Sequence, residues 1–324
     1  MNRAVAVAAG VAFLARAAAN HRWSAFHLYP GVSDEWVTAY VAAALAEADA
    51  PGCAALTAGA LRGLTGRQRA DGRYGFNARA IGDGDSSVWT LRLGAVAGAF
   101  PGDRAAALAA LAAHERPEGM ATYAADEPIR TIIEAGPERT MKGWCASHPC
   151  VNAVAAGLAE TAEAARAALR DQQRGDGSWP AYWWRDPEYT VAHAAEALSG
   201  EPAAARAAAW AARRLADGPV VTPDFPDGSP FATALAVRAV VAGEGDAGAV
   251  DAAVEWLCRG IRLDGAWTAS AVLRVPDPDE PDPDAPGRTT WVPGGRKEGA
   301  VVLDRTGVFT TATVVAALVR AGNR

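Results

Sequence analysis

The sequence predicts an all-α fold, an (α/α)6 barrel or toroid of about six helical hairpins. Three observations carry this. Alanine-rich helical runs recur in pairs along all 324 residues. The second run of each pair opens on an Asp or Ser. No segment alternates apolar and polar residues over any length, so almost no sheet is expected. Toroids of this size form one domain, so a single domain over 1–324 is expected.

The first runs of the pairs cover roughly 4–18, 53–69, 103–115, 160–173, 202–216 and 247–262. The first of them has two readings. Arg3, an Ala/Val stretch and then small residues imitate a cleaved signal peptide, while Arg16 interrupts the stretch as a structural helix would allow. The second runs start near Ser33, Asp85, Ser147, Asp186, Asp227 and Asp304. At each start a side-chain oxygen is placed to accept an N–H left over in the first turn, and Pro187 suits the first helical position. Hairpins that cannot bury a face alone stack on their neighbours, and six of them close a ring. The last long loop, 275–300, holds the run Asp277-Pro-Asp-Glu-Pro-Asp-Pro-Asp284. Its alternating prolines predict an extended, solvated, flexible loop.

Composition narrows the function. Half the residues are hydrophobic and the net charge is −6. That charge and the lack of any Lys/Arg-rich run argue against an electrostatic nucleic-acid binder, and Lys142 and Lys297 are the only lysines. No apolar run reaches the roughly 18 residues of a membrane span. The four cysteines, Cys53, Cys145, Cys150 and Cys258, read as reduced thiols of a cytoplasmic protein. Cys145, His148 and Cys150 lack the spacing of a zinc site, so no metal is expected.

If the inner helices run parallel, their N-termini gather at one rim, each with a partial positive charge and free N–H groups. The loops then bring Trp23, His27 and Tyr29, Tyr74 and Phe76, Asp83 and Asp85, Trp144, Cys145 and His148, Trp179, Tyr182, Trp183 and Trp184, Phe225, Trp267 and Trp291 to that rim, over a cavity lined by the inner helices.

Two loops repeat one phrase. Gln173 to Trp179 reads QxxDGxW and Gln68 to Tyr74 reads QxxDGxY, while Asp264-Gly-Ala-Trp267 keeps only DGxW. These resemble the QW repeat of squalene–hopene cyclases and related class II terpene cyclases, whose barrel is an α/α toroid shared with protein prenyltransferase β subunits. Asp83-Gly-Asp85-Ser-Ser87 is similar to the DxDD acid motif of those cyclases, with Ser86 in place of the last acid. The resemblance implies isoprenoid biosynthesis, with protonation-initiated cyclisation or isomerisation of an apolar isoprenoid. Asp85 would be the general acid and Asp83 its neighbour, and no metal or redox cofactor would be needed. The DDxxD motif of ionisation-type synthases is absent. Class II cyclases place the cavity between two barrels and this chain holds one. The missing wall could come from a second barrel chain, from a homodimer, or be spared by a smaller substrate; an apolar substrate also suits peripheral membrane contact.

Such chemistry sets the residue types. The donor must be a neutral carboxylic acid, so burial and a nearby carboxylate must outweigh the helix N-terminus, which lowers its pKa. The cation needs π faces, each contributing roughly 0.5–2 kcal/mol. Trp89, Trp144, Trp183, Trp184, Phe76 and Tyr182 are candidates for the substrate wall, with His27 and His193 as polar members. Plainer readings stand beside these. Asp85 also fits a helix cap, His193 a buried structural histidine, and Trp179 and Trp267 structural rings. Two other functions remain in view: a carbohydrate-active toroid pairing Asp85 with Asp186 or Asp304, and a non-catalytic lipid- or partner-binding barrel.

Overall fold

A computed structural model describes residues 1–285 and 289–323. In chain order the helices are α1 (Arg3–Ala17), α2 (Trp36–Ala48), α3 (Cys53–Leu64), α4 (Gly84–Ala97), α5 (Arg104–Leu111), α6 (Asp126–Ile132), α7 (Pro149–Ala155), α8 (Ala162–Gln172), α9 (Glu188–Ala197), α10 (Pro202–Arg214), α11 (Pro230–Ala242), α12 (Ala247–Arg259) and α13 (Val308–Arg320). The ring is as expected. Six inner helices touch in the circular order α2, α4, α7, α9, α11, α13 and back to α2. The inner helices α2, α11 and α13 are buried nearly all round, whereas the outer α10 buries one stripe of Ala203, Ala204, Ala207, Ala208 and Ala211.

The pairing differs from the expected hairpins by one step. The outer helices α3, α5, α8 and α12 pack chiefly on the inner helix before them, α2, α4, α7 and α11, whereas α10 packs more on α11, the inner helix after it, as the hairpins predicted. The reason is loop length: inner-to-outer turns hold four to six residues, and outer-to-inner links hold 15 to 48. Short turns force antiparallel neighbours. The first outer helix, α1, packs on α13 and so closes the ring.

Sheet is confined to short pairs at the loops. β1 (Ala25–Leu28) runs antiparallel to β2 (Gly31–Ser33), and β3 (Glu115–Arg116) to β4 (Gly119–Met120). β5 (Val272–Arg274), β6 (Val292–Pro293) and β7 (Ala300–Leu303) form a third sheet with β7 in the middle.

The QxxDGx[WY] loops are structural in the way their residue types allow. Gln173 Nε2 donates to the carbonyls of Gly177 (3.0 Å) and Ala203 (2.9 Å), tying the loop to α10. Gln68 does the same with Gly72 and Asp103. Trp179 and Trp267 each donate Nε1 to the end of the preceding outer helix, at Leu169 and Leu257, both at 2.7 Å. Trp23 makes the equivalent bond to Leu14. Gly177 has φ +97°, and a Cβ there would lie 2.4 Å from the Arg206 carbonyl oxygen, so only glycine fits.

The axis of the toroid is filled, not hollow as expected. Side chains on successive turns of the inner helices fill it in layers. The top deck holds Asp85, Cys150, Tyr189, Phe231 and Phe309. Below it, Trp89 Nε1 donates to the Tyr189 hydroxyl (2.8 Å), and Tyr40 and Thr313 share a hydrogen bond of 2.6 Å. At the far end Arg238 binds Glu196 (2.8 Å) and Glu47 (3.3 Å), Arg92 binds Glu47 (2.6 Å) and Arg320 pairs with Glu196. These arginines sit where the helix C-termini concentrate negative charge.

The caps also depart from expectation. Asp83, not Asp85, caps α4, and Ser229, not Asp227, caps α11. No side chain caps α2, α7, α9 or α13. Asp304 serves α13 from further back, accepting from the N–H groups of Gly307 and Thr310.

Candidate active site

Beside α2 and α4 at the N-terminal rim, a cavity encloses about 920 Å³ including its open mouth. Phe76, Trp144 and Trp183 line it, as expected of them, together with Asp83 and Asp85. The sequence reading missed Trp36, Thr122, Tyr123 and the isoleucines 129, 132 and 133, which also line it. The three isoleucines come from α6 and the residue after it, within the 37-residue link between α5 and α7. Its helix signal was present: acidic residues and a proline in the first turn of Asp-Glu-Pro-Ile-Arg-Thr-Ile. Tyr123, Trp144 and Trp183 stand together with ring centroids 5.6–6.4 Å apart. Trp36 stacks on Phe76 at 6.2 Å.

A chain of hydrogen bonds fixes the Trp183 edge. Its Nε1 donates to Thr122 Oγ1 (2.7 Å), which also meets His148 Nδ1 (2.8 Å), and His148 Nε2 donates to the Gly143 carbonyl (2.9 Å). This assigns His148 its Nε2–H tautomer. Burial drops its pKa to about 3, so it is neutral. Both ring nitrogens are therefore engaged, and among the described residues no group of three His, Cys, Asp or Glu could hold a metal ion.

The two aspartates differ. Asp83 Oδ1 accepts from the Ser86 N–H (2.7 Å) and Oδ2 from the Ser86 hydroxyl (2.8 Å). Asp85 faces the cavity, and its Oδ1 is buried without a hydrogen-bond partner. The cap reading of Asp85 is thereby corrected. Burial first, then the Asp83 charge, hold the Asp85 carboxyl well above the usual range. Burial also pushes Asp83 up to about 6 against its Ser86 bonds. Desolvation outweighs the helix N-terminus at both.

Five expected wall residues lie elsewhere. His27 points outward from β1 and is exposed. Trp89 and His193 lie in the deck beneath, where burial lowers His193 to about 4 and its Nδ1 is 3.6 Å from Glu196. Trp184 is packed among Tyr189, Phe231, Phe309 and Trp36 in the axial plug. Tyr182 stacks on His148 and donates its hydroxyl to the Glu280 carbonyl. Residue type alone marked these as π surface, and ring packing decided which π surface is free.

The start of the acidic loop packs on the 139–144 segment instead of standing free in solvent. Asp279 accepts from the N–H groups of Thr140 (2.6 Å) and Met141 (2.8 Å), Arg139 pairs with Asp277 (3.0 Å), and Trp144 Nε1 donates to the Pro276 carbonyl (3.0 Å). Residues 286–288 of this loop lie outside the described ones. At the exposed mouth are Tyr29, Arg296, Lys297 and Glu298, with Lys297 Nζ 4.5 Å above the Tyr29 ring, while Arg274 is buried in the wall and paired with Asp284 (2.6 Å). Asp186 and Asp304 do not line the cavity, so the carboxylate pair of a carbohydrate-active site is not formed there. Among the described residues no helix is long and apolar enough to cross a membrane.

A helical toroid that sets a buried acid against an aromatic, nearly apolar cavity defines a cyclase of the toroid class. Comparison with solved structures agrees. Type II terpene cyclase MstE from Scytonema, without ligand, superposes with a TM-score of 0.93 at 37% identity, covering 100% of this chain and 99% of that chain. A variant of MstE in complex with its substrate, geranylgeranyl dihydroxybenzoate, gives 0.92 at 37% identity over 99% and 97%. A protein from Actinoplanes is 39% identical over 99% and 100%, with a TM-score of 0.89. The ent-copalyl diphosphate synthase of Streptomyces platensis shares the fold at 20% identity, with a TM-score of 0.59 over 89% of this chain and 50% of that one. No protein-family model and no curated protein matches the chain. The chain belongs to the type II terpene cyclases and is an enzyme of that type.

Proposed function

We propose that the enzyme cyclises an isoprenoid chain with an anionic head, and that Asp85 starts the reaction by protonating the far alkene. The observation that carries this is the Asp85 Oδ1, buried, unbonded and turned to an aromatic cavity. In one sequence of steps the Asp85 proton passes to the terminal alkene carbon and leaves a tertiary cation. Successive alkenes then attack that cation and close rings, and a final proton loss gives an isomer of the substrate. A carboxyl held neutral by burial is a proton donor at neutral pH. Trp36, Phe76, Trp144 and Trp183 offer π faces to the cation and no nucleophile, and Tyr123 adds a further π face.

The mouth supports the choice of head. Arg296 and Lys297 line it, both exposed, and MstE takes a geranylgeranyl chain on a dihydroxybenzoate. The wall away from the inner helices comes from residues 122–144, 273–275 and 296–298 of the chain itself, which favours a site complete without a second barrel. Incubation with geranylgeranyl dihydroxybenzoate tests the reading: a cyclised product of unchanged mass supports it, and recovery of the open chain from folded enzyme overturns it.

A further inference from the structure

The cavity backs onto a second hollow. A polar pocket on the protein surface is lined by Arg69, Asp71, Arg73 and Pro128, and it shares Ala80, Ile81 and Tyr123 with the cavity wall. The partition is one side chain thick. We infer that the Ile81–Tyr123 partition decides whether a cation in the cavity ends by losing a proton or by capturing water. The inference rests on the cyclase reading above.

Both halves of the partition are held in place. Arg69 donates to the carbonyls of Asn77 (2.6 Å) and Ala80 (3.2 Å) and pairs with Glu35 (2.8 Å), which fixes the loop before Ile81. Gly75 and Gly82 bridge across its base, and a Cβ on Gly75 would lie 2.6 Å from the Ile81 carbonyl oxygen. Gly75 thus packs directly on the Ile81 backbone, with no room for a side chain between them. Tyr123 is held through its carbonyl by Arg116 (3.3 Å) and through its ring by Trp144 and Trp183.

The chemistry on the two sides is opposed. On the cavity side a cation must stay away from nucleophiles until its rings are closed. On the other side, two arginines and an aspartate make a pocket suited to water. If water crosses, its oxygen lone pair forms a C–O bond to the cation and the oxonium proton leaves to bulk water. The product is then an alcohol one water heavier than the substrate. If water is held back, an adjacent C–H bond breaks and an alkene isomer forms.

The test is turnover of geranylgeranyl dihydroxybenzoate in 18O-labelled water, read as the ratio of labelled alcohol to alkene isomer. Ile81→Ala is expected to raise that ratio about tenfold over wild type, Ile81→Val less, and Ile81→Leu, which refills the wall, to hold it near the wild-type value. Ile81→Val carries the test if the alanine variant does not fold. An unchanged ratio in a folded, active shortened variant overturns the inference. So does a wild-type enzyme that already makes mostly labelled alcohol. A wild type that converts nothing overturns the cyclase reading, and the inference with it.

Discussion

Asp83 and Asp85 stand two residues apart at the head of α4 and use their carboxylates in opposite ways. Asp83 gives both oxygens to Ser86 and closes the helix, which leaves Asp85 free of its own backbone and turned to the cavity. Ser86, where the cyclase motif has its last acid, is the residue that holds Asp83 in that task.

This division gives Asp83 an electrostatic part as well. It ionises at about 6, and its charge then raises the Asp85 pKa further. Turnover needs protonated Asp85, so the rate falls as pH rises through the Asp85 pKa. In Asp83→Asn the cap is kept, since Asn caps about as well as Asp, while the charge is lost. The alkaline limb of the kcat–pH profile is expected to move to lower pH, with Tm nearly unchanged.

Trp183 and Trp184 are neighbours in sequence and divided by function. Trp183 lines the cavity, and Trp184 lies in the axial plug at 1% exposure. Trp183→Leu is expected to slow turnover by about 2- to 30-fold, the worth of one cation–π contact. Trp184→Leu is expected to lower stability by about 1–4 kcal/mol. Paired kinetics and denaturant melts on the two variants read the difference.

Gly177→Ala places a methyl group against the Arg206 carbonyl oxygen at φ +97°. A loss of about 1–3 kcal/mol is expected. Thermal melts of this variant beside Gly175→Ala, where a Cβ meets nothing within 4 Å, check it.

Asp186 is buried, its Oδ2 has no partner, and burial pushes it up to about 7. A carboxyl whose folded pKa lies above its unfolded 3.8 stabilises fully below pH 3.8 and loses that contribution as pH rises through about 7. Asp186→Asn is therefore expected to match wild type near pH 4 and to exceed it in stability at pH 8. Tm measured across that range decides.

Much of the architecture was legible in the sequence. The outer runs at 53–69 and 202–216 contain α3 and α10, because alanine runs with Gly, Asp and Pro punctuation specify helices locally. Hairpin pairing was not, because it depends on which link is short enough to force contact. In the site, Asp85, Phe76, Trp144 and Trp183 were legible from a motif and from loop position. Tyr123 and the isoleucines of α6 were not, since the 112–133 stretch reaches the cavity only by folding back, where Tyr123 packs on Trp144 and Trp183. Trp89, Trp184 and His193 were misplaced because residue type does not say which deck of a filled toroid a helix face reaches.

The most direct test of the account is Asp85→Asn, measured for conversion of geranylgeranyl dihydroxybenzoate and for Tm together. Asn keeps the shape and removes the transferable proton, and Asp85 makes no cap bond to lose. The account predicts that conversion disappears while Tm stays within about 2 °C of wild type. Conversion retained at a wild-type rate would contradict it.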